Sequence, residues 1–278
     1  DEYVFNLAGS PDTTSHLIWQ SLAPMATAEI AVNLPDEWTV RARARAALLG
    51  DSYMEDYDWF GPDFVSYAFN DWTHRSQHPN TNLDWFLDAS LAVGRNVIAE
   101  PNATLNLNAG FKYTDVQWTA HGGTYVYSDS SVDNPGNNFR AYSGSFANVP
   151  VITYRQQVPV LFAGLDGEVT DGQWTYSAGA QAGLTLFARA TDDHWLRDLR
   201  FIDLIKPAPV LAASARADYA VSDNLGVFIE GTIEKMFLGR ADTDLYDIPS
   251  GVQTGSFSDI GGAELGTISL SAGLVGSF

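Results

Sequence analysis

The sequence contains no cysteine, which excludes disulfides, thiolate metal sites and a cysteine nucleophile in one step. Nor does it contain a run of the roughly 18 to 20 apolar residues that a transmembrane helix needs. Hydrophobic residues nonetheless make up 45% of its 278 residues. With a mean hydropathy of −0.10, they must be interleaved with polar residues rather than pooled in blocks. No charged segment followed by an apolar stretch opens the chain, so any signal peptide is expected to have been removed. Positive charge is scarce as well, with 15 Lys and Arg against 34 Asp and Glu and a formal net charge of −19. That excess repels phosphates and argues against nucleic acid as a partner. It fits either a solvated acidic surface or attraction of basic peptides to acids gathered near a cleft.

The apolar residues alternate. In 173–190 the even positions carry Trp174, Tyr176, Ala178, Ala180, Ala182, Leu184, Leu186 and Ala188, with Gln173, Thr175, Ser177, Gly179, Gln181, Gly183 and Thr185 between them. Period two marks a strand with two distinct faces. The run exceeds the ~5–6 residues usual in soluble strands and covers the ~9–11 needed to cross a membrane. Segment 38–48 sets Trp38, Val40, Ala42, Ala44, Ala46 and Leu48 against Thr39, Arg41, Arg43 and Arg45. Three arginines on one face need partners, and a polar lumen shared with Glu29 of the preceding segment supplies them. Strands are also readable at 26–34, 83–95, 103–113, 157–169, 210–221 and 227–236, and Ile268, Leu270, Ala272, Leu274 and Phe278 share one face of the last segment.

Counting a first strand at the start of the chain, the pattern predicts about ten strands, an even number as such barrels require. Short links at Pro35–Glu37, Asn96–Asn102, Thr170–Gly172 and Ser222–Gly226 alternate with long ones near 54–80, 122–148, 191–208 and 241–256. The expected fold is therefore all-β: a transmembrane antiparallel up-and-down barrel with long extracellular loops and short periplasmic turns. One domain over 1–278 is expected, with the chain starting inside its first strand, and a monomer surrounded by membrane lipid. Trp38, Trp85, Trp174 and Tyr219 fit the aromatic girdles of such a barrel.

Long loops on one side can bring together acids and histidines that are far apart in sequence. Asp56 with Asp58, and Asp192 with His194, are pairs two residues apart, which point the same way in extended chain, ~6.5–7 Å along the strand. An Asp beside a His orients the imidazole and stabilises its charged form, making it a usable general base. Two carboxylates across a cleft could polarise a water. Spacing alone leaves this open, because such pairs occur by chance in acidic loops.

Met54-Glu-Asp-Tyr-Asp-Trp59, Trp72-Thr-x-x-Ser76-x-His78-Pro79, Trp118-Thr-Ala-x-Gly-Gly-x-Tyr-x-Tyr127 and Asp192-x-His194 followed by Arg197-Asp-Leu199 resemble segments of the omptin family of outer-membrane endoproteases. They occur in the family's order, with similarity from Glu2 to Phe278. The resemblance implies a metal-free endopeptidase with an extracellular groove, acting on peptides or proteins near basic residues. Asp56 and Asp58 would be the water-binding acids, His194 the base and Asp192 its orienting partner. Ser76 and His78 match groove residues with a supporting role, and Glu2 matches the acid that receives a basic side chain just before the cut.

The sequence departs from the family pattern in several places. A second pocket acid normally stands where this chain has Ala190, and Asp193 could compensate. His74 occupies a position that is usually Asp. Losing one carboxylate from a partly buried cation pocket costs on the order of 2–5 kcal/mol of discrimination, so a strict dibasic preference is not expected. The arginines that bind lipopolysaccharide phosphates in the family correspond to Asp115 and Gln157. Either activity is independent of that lipid here or the host's lipid carries fewer phosphates. Alternative readings are a non-catalytic barrel such as an adhesin or structural protein, a porin, and a metallohydrolase using His74, His78 and His194. His16 and His121 read as rim or strand residues. One expectation conflicts with the rest: extending the parity of 38–48 and 173–190 turns Asp56, Asp58, Asp192 and His194 toward lipid. Shifts of one residue are therefore predicted between Leu48 and Asp56 and between Ala188 and Asp192.

Overall fold

The computed structural model describes residues 1–61, 63–128 and 138–276. Phe278, expected on the apolar face of the last strand, lies outside them. The strands are β1 (Glu2–Phe5), β2 (Thr13–Leu22), β3 (Ala26–Asn33), β4 (Trp38–Ala47), β5 (Asp51–Asp58), β6 (His74–Glu100), β7 (Ala103–His121) and β8 (Thr124–Tyr127). They continue with β9 (Tyr142–Ser145), β10 (Pro150–Asp171), β11 (Trp174–Thr185), β12 (Ala188–His194), β13 (Leu199–Ile205), β14 (Pro209–Ser222), β15 (Leu225–Asp247) and β16 (Gln253–Gly276). Among the described residues these sixteen segments form one antiparallel sheet, and β16 pairs with β1 to close it. Four staves are made of two segments each: β2 with β3, β4 with β5, β11 with β12 and β13 with β14. With β8 and β9 set apart as a hairpin at the mouth, ten staves remain, as the alternation predicted.

On the lower staves Leu91, Leu107, Leu161, Leu184, Leu211 and Ile233 face outward, each about half exposed. Water would not tolerate a continuous apolar belt of this kind, so these segments span a membrane. Trp174 packs tilted against Tyr219 with centroids 4.9 Å apart near the turn end, where an aromatic girdle belongs. The lumen behind the belt is charged and paired. Arg41 reaches Asp166 at 2.9 Å, Arg43 reaches Glu230 at 2.7 Å and Arg45 reaches Asp88 at 3.0 Å. Glu29 lies 3.5 Å from Arg41 and 3.6 Å from Arg43, so the expected pairing with Glu29 holds for two of the three arginines, and Arg45 has Asp88 instead.

The long links expected beyond 54 and 191 turn out to be largely strand. β5, β12 and β13 and the outer parts of β6, β10, β15 and β16 carry the sheet past the belt, and the fully described connecting loops reduce to 6–12, 195–198 and 248–252, while the expected links at 54–80 and 122–148 lie partly outside the described residues. A ring of breaks separates the two levels. β2, β4, β11 and β13 each stop for two or three residues there, while the long strands slip register between Leu83 and Trp85 and between Met236 and Gly239. Side-chain parity inverts across this ring. In β4 Arg45 and Ala47 are buried inward, Leu48 and Leu49 are both exposed, and in β5 the inward set becomes Met54, Asp56 and Asp58.

The second inversion lies earlier than predicted. Phe187 adopts φ +53° and is 94% exposed, which adds the odd residue before Ala188 rather than after it. Ala188 and Ala190 therefore face inward and are fully buried, not toward lipid as the period of 173–190 suggested. A single residue in the left-handed region re-aims everything that follows it.

Candidate active site

Inside the mouth Trp19, Trp118 and Tyr154 stack with centroids 5.6–6.3 Å apart, and Met54 packs into the same cluster. This apolar layer floors the mouth. Asp56 follows Met54 by two residues on β5, and Asp192 pairs in register with Tyr154. The predicted acids therefore stand on a low-dielectric base, where ionised carboxylates are costly.

His194 Nε2 lies 2.6 Å from Asp192 Oδ2. In that bond Nε2–H donates to the carboxylate, which leaves Nδ1 as the basic nitrogen. Burial works against the imidazolium, but the charge and hydrogen bond of Asp192, together with Asp56, outweigh it and raise the pKa of His194. Burial pushes Asp56 up to about 6 against the opposing pull of His194, with Asp192 adding to the rise. Asp58 is raised well above the usual carboxylate range by burial and by Asp56. Ser15 Oγ donates weakly to Asp56 at 3.4 Å. Asp56, Asp58, Asp192 and His194 thus share one electrostatic environment although they come from strands far apart in the chain.

Ser76 pairs in register with Asp56 and is bonded to His78 Nε2 at 2.8 Å. His78 Nδ1 donates to the Gly122 carbonyl at 2.5 Å, so Nε2 accepts the Ser76 hydroxyl proton. Gly123 makes this possible: it sits at φ +105°, and a Cβ there would fall 2.3 Å from the Gln77 carbonyl and 2.7 Å from His78 Nδ1. Both ring nitrogens of His78 are engaged by protein, and burial lowers its pKa. His74 is stacked on Phe60 at 4.7 Å and tilted against Tyr127 at 5.0 Å.

Glu2 is almost fully buried, and its Oε2 lacks a hydrogen-bond partner. Burial, then Asp192, Asp203 and Asp56, raise its pKa well above normal. Asp193, offered above as a compensating acid, points the other way and forms an ion pair with Arg200 at 2.5 Å. The acid that the sequence reading missed is Asp203 on β13. It pairs in register with Ala190, and burial pushes it up to about 7, Asp192 adding to the rise against the Thr243 hydrogen bond. Its signal was a lone acid on the inward parity of Leu199–Ile205. Tyr127, raised first by burial and then by Asp56 and Asp58, is a second neighbour that spacing alone did not single out.

The profile of the Omptin family matches residues 1–278. The chain belongs to the omptin family. This omptin is 29% identical over 238 residues to the plasminogen activator of Yersinia pestis, covering 85% of this chain and 72% of that protein. It is 26% identical over 195 residues to outer membrane protease OmpP of Escherichia coli (strain K12), covering 70% of this chain and 59% of that one. Its fold matches the crystal structure of outer membrane protease OmpT from Escherichia coli with a TM-score of 0.87 at 24% identity, covering 100% of this chain and 91% of the other. The barrel is thus that of an outer-membrane omptin.

On the outer wall of this omptin, Asp115 accepts from Arg155 Nε at 2.8 Å and from Trp85 Nε1 at 3.1 Å. Gln157 donates to Tyr113 at 2.8 Å. The Arg155 charge is therefore compensated within the wall.

Proposed function

We propose that this omptin is an outer-membrane endopeptidase that cuts peptide bonds near basic residues, with its groove on the extracellular side. Asp56 and Asp58 hold a water by hydrogen bonds. His194, steered by Asp192, takes a proton from it at Nδ1 as the oxygen attacks the scissile carbonyl carbon. The C–N bond then breaks, and the proton held by His194 passes to the leaving amine. No bond to the enzyme forms, and no metal takes part. The observation that carries the reading is the 2.6 Å Asp192–His194 pair lying close enough to Asp56 for each to shift the other's proton affinity. A general base needs a proton affinity matched to its task, and Asp192 with Asp56 raises that of the imidazole against its burial.

The names of the relatives support the same activity, and Glu2 supports a cationic side chain beside the cut. Mass-spectrometric mapping of products from a peptide library, with the detergent-folded barrel, tests the reading. Cuts clustered beside arginine or lysine are expected. Inertness toward the whole library, with lipopolysaccharide of the native host added, would instead favour a non-catalytic barrel such as an adhesin.

A further inference from the structure

Outside the cluster of Asp56, Asp58, Asp192 and His194, the other most deeply buried carboxylates of this barrel have a cation against them. Asp88 has Arg45 and Lys112, Glu230 has Arg43, Asp115 has Arg155 and Asp193 has Arg200. Among the described residues, no lysine or arginine lies within ion-pair distance of Glu2 or Asp203, although they are only 3% and 4% exposed. Burying an acid without a counter-charge is unfavourable, so this pair is the exception that needs a cause.

Its surroundings supply one. Gln156, Ala190, Asp203 and Thr243 form one row across four neighbouring strands. Thr243 Oγ1 donates to Asp203 Oδ1 at 2.5 Å and so fixes the carboxylate. Gln156 uses its amide nitrogen on Tyr154 at 3.0 Å and the Glu264 carbonyl at 3.2 Å, which leaves its buried Oε1 without a partner. Ala190, between these two polar side chains, is too small to fill the space. Glu2, close enough to Asp192 and Asp203 for their charges to act on it, has at Oε2 a second buried acceptor without a partner. On the far side of Asp203, a Cβ on Gly261 would lie 2.6 Å from Oδ1, so only glycine leaves room for that carboxylate. The result is a notch with acceptors on its walls and an alanine at its floor.

Beyond the cation pocket that the resemblance places at Glu2, the geometry points to Asp203 as its second acid, supplying from β13 the carboxylate that Ala190 does not supply from β12, with Gln156 Oε1 as a third acceptor. The inference rests on the endopeptidase reading for the origin of the cation, but the notch itself is a binding site. Burial and then Asp192 raise the proton affinity of both acids, with the Thr243 hydrogen bond opposing the rise at Asp203, so a guanidinium or ammonium entering the notch favours their charged forms and restores the pairing seen in the rest of the barrel.

Titration calorimetry with benzamidinium and its neutral isostere benzamide tests the assignment on the detergent-folded protein. The wild type should prefer the cation by about ten-fold or more. Asp203→Asn should lose most of that preference, and Ala190→Asp in the same background should recover it by returning a carboxylate to the row. Equal binding of the two probes by the wild type, or an undiminished preference in Asp203→Asn, overturns the assignment. Cleavage of matched peptides carrying arginine or citrulline separates the two claims. A preference for benzamidinium without any cleavage supports the notch and removes the endopeptidase reading. Cleavage indifferent to arginine or citrulline removes the notch and leaves the endopeptidase.

Discussion

Asp192 and His194 are joined by a 2.6 Å hydrogen bond between Oδ2 and Nε2, and the other carboxylate oxygen of Asp192 is buried without a partner. The pair is therefore aimed at one ring nitrogen. Asp192→Asn keeps the shape but loses the charge and the tautomer it enforces. In other carboxylate–imidazole catalysts this change costs about 10⁴ in kcat, and a loss of that order is expected here with KM little altered. A variant as fast as wild type would take Asp192 out of the chemistry.

The pH profile follows from the same pair. As a base His194 works only when neutral, so kcat/KM should rise with pH through a midpoint above the ordinary 6.5 of an imidazole. Asp56 contributes to that elevation. Asp56→Asn should therefore let His194 lose its proton at lower pH. NMR titration of histidine-labelled protein reads this directly, and a midpoint that stays put or moves upward contradicts the proximity of the two side chains.

Ser76 donates to an imidazole, as serine nucleophiles do, but the far side of His78 is held by the Gly122 carbonyl rather than a carboxylate. Burial also lowers the pKa of His78, which makes it a weak base. Ser76→Ala should cost about ten-fold, the scale of one lost hydrogen bond to a neutral group, and fluorophosphonate reagents should not label the protein. Stoichiometric labelling at Ser76 would replace the water mechanism with an acyl-enzyme.

Asp203 also bears on stability. Its carboxyl is raised from 3.8 to about 7 in the folded protein. Between those values the unfolded chain has released the proton and the folded one retains it, so stability falls as pH rises through that window. Asp203→Asn should raise the temperature at which the fast-migrating folded form disappears on gels at pH above 7, and change it little near pH 4. An equal shift at both pH values would mean that folding leaves the pKa of Asp203 unchanged, and a lower temperature at high pH would mean that it is ionised and paired.

The barrel was legible in the sequence because lipid on one side and a charged lumen on the other impose period two on the spanning segments. The pairing of Glu29 with Arg41 and Arg43 followed from that alternation alone. The site was legible only as a resemblance, since a two-residue spacing does not say which way a strand faces above the belt. The inversion at Phe187 depends on one positive φ that a phenylalanine gives no hint of. Asp203 was missed because its meaning lies in the register of β13 against β12, where it faces Ala190, and register between strands is not written within either one.

Cleavage of an arginine-containing peptide by the purified barrel and by its Asp56→Ala and His194→Ala variants tests the central claim most directly. The expected result is turnover by the wild type, none by either variant, and unchanged heat-modifiable migration in all three. Undiminished turnover in either folded variant would contradict a water activated between Asp56 and His194.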